Sequence, residues 1–95
     1  MRRDSSGALT QLFEVVLLLA SEQGPIEERL AHANFAYLQS LDVGSLPADA
    51  QRRFEKIRAE LKRMYPEPGA WDGVDRSAAV DLAQGIIMLY DALNP

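Results

Sequence analysis

The chain has no cysteine and a single histidine, His32. Without thiols there is no disulfide scaffold, no thiolate zinc site, no iron–sulfur cluster and no cysteine nucleophile. One imidazole leaves neither a His/Cys metal cluster nor an evident acid–base pair. The GxxxxGK[ST] and GxGxxG loops that cradle phosphates are missing, as are the GxSxG nucleophile turn, HExxH and an Asp-rich calcium loop. Long hydrophobic runs are scarce as well. The stretch from Leu12 to Ala20 is well short of the about 20 apolar residues a membrane span needs, and Glu14 interrupts it. Arg2 and Arg3 ahead of it give the outline of a secretory leader, but Gln11 and Glu14 break the apolar region and bulky Leu18 stands where cleavage after Ala20 wants a small residue. The expectation is a buried first helix in a cytoplasmic protein.

What remains is 95 residues, 47% apolar and 25% charged, with a net charge of −4. That is one domain with one core, because a chain of this size buries roughly 60–65% of its unfolded surface and has no room for a second. No stretch alternates with the period of two that marks a half-buried strand. Four stretches carry helical periodicity instead, at about residues 7–23, 25–42, 47–65 and 76–93, divided by glycine and proline. Short connections between the first three favour antiparallel neighbours. The predicted fold is an all-α, small antiparallel four-helix bundle.

The first stretch sets Leu9, Leu12, Phe13, Val16 and Leu19/Ala20 on one stripe, and leaves Val15, Leu17 and Leu18 off it. A helix apolar on nearly every side must be enclosed, by the rest of the bundle or by a second copy of the chain. The second opens at Pro25 with Glu27 and Glu28 at the positive end of its dipole, and buries Ile26, Leu30, Ala33, Tyr37, Leu38 and Leu41. In the third, Ala50, Phe54, Ile57, Leu61 and Met64/Tyr65 recur at steps of three and four before Pro66 stops it. The fourth begins at a cap, Asp75 or Ser77, with Ala79, Leu82, Ala83, Ile86, Leu89/Tyr90 and Leu93 as its inner stripe. Gly85 in its middle marks either close approach of another backbone or an unoptimised surface position.

Charge is unevenly placed. Between Asp49 and Arg63 six basic residues stand against three acidic ones, a local +3 that leaves −7 for the rest of the chain. Arg52, Lys56 and Arg63 fall in one sector opposite Phe54 and Leu61, a basic ridge. Such a ridge suits an acidic partner or a nucleic-acid backbone, but interleaved Glu55, Glu60 and Asp49 also make it an ordinary mixed-charge helix face. The acidic balance and the lack of aromatics interleaved with the arginines on the ridge itself argue against nucleic-acid binding.

Glu28 and His32, four apart, can face each other on one helix turn, yet nothing supplies further metal ligands. Asp72, Asp75, Asp81 and Asp91 cluster around the last helix without the inward Glu and His that a dimetal bundle uses. Trp71 stands in a proline-rich loop over residues 66–73, with Tyr65 just before it, and the two read either as interface anchors or, for Trp71, as a lid over the bundle's end.

These observations converge on a non-enzymatic helical module or small accessory protein, bacterial in style, that self-associates as a homodimer or docks on a larger protein, with no cofactor or metal. Val15, Leu17, Leu18, Tyr65 and Trp71 are its candidate interface residues. A different class, an antitoxin-like or phage-type regulator or inhibitor of a nucleic-acid-acting system, would use the −7 portion against a basic target. A small ligand-binding or catalytic bundle is the third reading, for which a deep polar pocket containing His32 would speak.

Overall fold

The computed structural model describes residues 6–67 and 69–93, so Arg2 and Arg3 lie outside the described residues. Helix α1 spans Ser6–Ser21, α2 Ile26–Ala36, α3 Ala48–Met64 and α4 Arg76–Leu93. They form a four-helix bundle with no strand among the described residues.

Each boundary has a local cause. Gly24, at φ +102°, turns the chain between α1 and α2 in the left-handed region that a side chain disfavours. A Cβ there would also run into Glu28 Oε1. Pro25 stands just outside α2 in extended conformation (ψ 158°), as the N-cap rather than the first helical residue. Asp75 caps α4, its Oδ2 accepting the Ala78 amide at 2.9 Å.

The second helix is shorter than its periodicity predicts. It stops at Ala36, and Leu38–Ser40 and Val43–Ser45 form two single 3₁₀ turns. Residues three apart eclipse one another in that geometry, so Leu38 and Leu41 turn inward together and the chain reverses without losing its apolar contacts. The Ser45 hydroxyl donates to the Asp42 carbonyl at 2.8 Å, a local bond that competes with a continuing helix.

The inner stripe of α1 differs from the predicted one. Ala8, Leu12, Val15, Leu18 and Leu19 are buried, whereas Phe13 and Ala20 face out and Leu9 and Val16 are half-buried. With apolar residues on nearly every side, periodicity alone does not decide which stripe faces the core. Helix α3 follows its predicted stripe, burying Ala50, Phe54, Ile57 and Leu61, with Tyr65 buried just beyond its end. Helix α4 packs against α1, α2 and α3 and buries Ala79, Ala83, Ile86 and Leu89. Gly85 is not a point of close approach, since a Cβ built there meets nothing within 4 Å.

Polar ties gather at one end of the bundle. Arg29 Nη1 donates to the Leu19 carbonyl at 2.5 Å, closing an orphan acceptor at the end of α1. The Tyr65 hydroxyl donates to the Glu27 carbonyl at 2.9 Å, and Arg76 Nε donates to the Glu27 carboxylate at 3.2 Å. The first turn of α2 thereby holds the end of α3 and the start of α4.

Candidate interaction surfaces

The predicted interface residues do not form one surface. Val15 and Leu18 lie in the monomer's own core, 0% and 8% exposed, because the other helices cover the side of α1 that carries them. Tyr65 is buried too, its ring in the core and its hydroxyl spent on Glu27. These three are corrected from interface to core. Of the predicted set, Leu17 is exposed and Trp71 is half-buried against the core.

A different apolar face takes their place. The exposed large apolar side chains are Phe13 (44%), Leu17 (43%), Val80 (37%), Ile87 (42%) and Met88 (63%), all on α1 and α4, which pack side by side. The Phe13 and Tyr90 rings stand 6.0 Å apart and join the two helices into one face. Singly scattered exposed apolar residues are ordinary, whereas here they all lie on two adjacent helices. Sequence reasoning missed Val80, Ile87 and Met88 and placed Phe13 inside. The signal was present in α4, where Val80 and Ile87 share a line off the inner stripe, at seven-residue spacing.

The basic ridge is partly neutralised within its own helix. Arg52 pairs with Asp49, and Arg63 donates to Glu60 at 2.6 Å. That contact holds the Glu60 carboxyl below its ordinary range and raises the Arg63 guanidinium. Arg58 lies 4.9 Å from the centre of the Phe54 ring and reaches the Leu38 carbonyl, a structural role. Lys56 has no ion-pair partner among the described residues.

His32 does not pair with Glu28. Its Nδ1 lies 2.9 Å from Glu22 Oε1, beyond the end of α1, while Glu28 folds back toward Gly24. His32, Glu22, Arg29, Phe35 and Trp71 border a cavity of about 290 Å³ that is open to solvent. Arg29 Nε is buried and has no hydrogen-bond partner among the described residues. Trp71 is half-buried, packing against the core beside this cavity. Among the described residues no group of three His, Asp or Glu side chains is placed to hold a metal ion, and no helix is long and apolar enough to cross a membrane.

Compared with known proteins, the chain matches no family model, no curated protein sequence and no solved structure.

Proposed function

We propose that this chain is a small non-enzymatic interaction module that docks through the apolar face shared by α1 and α4. One observation carries the reading: Phe13, Leu17, Val80 and Ile87 remain exposed on two adjacent helices although the bundle has a complete core of its own. Burying such side chains against a partner is worth roughly 25 cal/mol per Å² of apolar surface before the costs of association.

The other readings find less support. A contact of the basic ridge with an acidic partner would use free basic groups, and two of the three ridge residues are paired within α3. A ligand-binding bundle would need an enclosed polar pocket, whereas the cavity beside His32 is open and falls at the lower edge of the about 300–1,000 Å³ of small-molecule sites.

The test is a photo-reactive phenylalanine analogue in place of Phe13, with the same analogue at exposed Arg53 on α3 as the control. Irradiation of cells that make the protein is expected to give one discrete adduct from position 13 and none from position 53. No adduct at position 13, or equal smears from both, overturns the reading.

A further inference from the structure

We propose that the occupant of the α1–α4 face is a second copy of this chain, laid so that its α4 runs antiparallel to the first about a two-fold axis passing between Ala83 and Gln84. The inference rests on the reading of this face as a contact surface and names what covers it.

The register of α4 points to this occupant. At about 100° per residue, Arg76, Val80, Gln84, Ile87 and Asp91 share a sector about 80° wide, offset from the inner stripe centred on Ile86, with buried Ala83 at the edge between the two. About the centre of this stripe the apolar Val80 and Ile87 are equidistant, and outside them so are Arg76 and Asp91, of opposite charge. An antiparallel copy centred between Ala83 and Gln84 sets Val80 against Ile87 of the second copy, and Ile87 against its Val80. The same operation sets Arg76 against Asp91 of the second copy at one end, and Asp91 against its Arg76 at the other, about 22 Å away. The apolar pair therefore sits between two charge pairs of opposite sign, as a self-complementary two-fold interface requires. The parallel arrangement would place Arg76 beside Arg76 and Asp91 beside Asp91.

The side chains are available for this. Val80, Ile87 and Asp91 are exposed, and the Arg76 side chain is 69% exposed. Arg76 engages Glu27 through Nε, which leaves both terminal nitrogens for a second carboxylate. Phe13 and Leu17 on neighbouring α1 extend the apolar strip beside the seam.

The extent suffices. Helices of 16 and 18 residues lying side by side present a strip roughly 25 by 20 Å. The two copies together then cover about 1,000 Å² in projection, and more with side-chain relief, which reaches the roughly 1,000 Å² that a specific interface needs. An interface of this size between chains of charge −4 is expected to be a reversible dimer rather than an obligate one.

The absence of native cysteine makes the test free of background. Sedimentation equilibrium of the full chain is expected to show monomer and dimer at micromolar concentration. Under mild oxidation Gln84→Cys, next to the axis, is expected to form a covalent dimer roughly tenfold faster than Asp81→Cys, which points away from the seam. Asp91→Arg sets like charges opposite Arg76 and is expected to weaken the dimer about tenfold while the monomer's circular dichroism stays unchanged. A strictly monomeric chain at hundreds of micromolar overturns the proposal, as does a dimer in which Asp81→Cys links faster or Asp91→Arg has no effect. If the chain is monomeric and position 13 still yields an adduct of another mass, the contact surface stands and the second copy does not. If position 13 yields no adduct while the dimer forms through another face, both fall.

Discussion

The hydroxyl of Tyr65 donates a hydrogen bond of 2.9 Å to the carbonyl of Glu27, 38 residues earlier in the chain. Glu27 lies in the first turn of α2, where its carboxylate also meets Arg76 at the start of α4. A hydrogen bond from its own backbone amide, and then the Arg76 guanidinium, outweigh the burial that opposes them and hold the Glu27 carboxyl below its ordinary range. Burial first, and the Glu27 carboxylate second, push the Tyr65 phenol up to about 12.

A pH dependence follows from the raised phenol. Its pKa exceeds the unfolded value of about 10, so the folded state holds this proton more tightly. The stability linked to that proton is fully present below about pH 10 and is lost as pH rises toward 12. Urea unfolding between pH 9 and 12 is expected to show this decline, and Tyr65→Phe is expected to flatten it. At neutral pH the same variant loses one part-buried hydrogen bond, about 1 kcal/mol.

Glu27 acts at the other end of the scale. A carboxyl whose folded pKa is lowered contributes stability that is present above its unfolded pKa and is lost as pH falls through the folded one. Glu27→Gln is expected to reduce the acid sensitivity of unfolding below about pH 4.5, read as the change in urea midpoint between pH 6 and pH 3.

The two sides of α1 should respond oppositely to truncation. Leu12→Ala removes a fully buried side chain and is expected to cost about 2–5 kcal/mol. Leu17→Ser alters an exposed position and should move the monomer's stability by about 0.5 kcal/mol or less, while weakening association. Chemical denaturation at low concentration, where the monomer dominates, separates the two effects. Equal costs would contradict the orientation of α1.

Gly85 is expected to be improvable. It sits inside α4 with open space around its Cα, so Gly85→Ala gains helix propensity of about 1 kcal/mol without a clash. A thermal scan should show the midpoint rising by several degrees. A loss of stability would mean that the site needs the glycine for close packing after all.

The cap at the head of the same helix gives the reverse result. Asp75→Ala removes the acceptor of the Ala78 amide and is expected to cost about 1 kcal/mol, whereas Asp75→Ser should retain most of it. The comparison of the two variants by urea denaturation distinguishes capping from a general loss of charge.

Helices with one clear stripe and firm punctuation could be read from the order of residues alone. In α3 a charged background leaves a single face for Phe54, Ile57 and Leu61, and Pro66 follows Tyr65 directly, so both the buried side and the end were legible. The all-α class followed from the same periodicity. Tertiary structure decided what local pattern left degenerate. In α1 two apolar stripes of similar width compete, and the one carrying Leu12, Val15 and Leu19 faces inward because the neighbouring helices cover it. In the segment after Ala36 the 3₁₀ turns win over a longer helix because they bring Leu38 and Leu41 into the core while the chain reverses. The candidate surface was hidden for the same reason. Val80 and Ile87 look like ordinary members of an apolar helix until the inner stripe is fixed by contact with α1, α2 and α3, and only then is it evident which apolar side chains are left over.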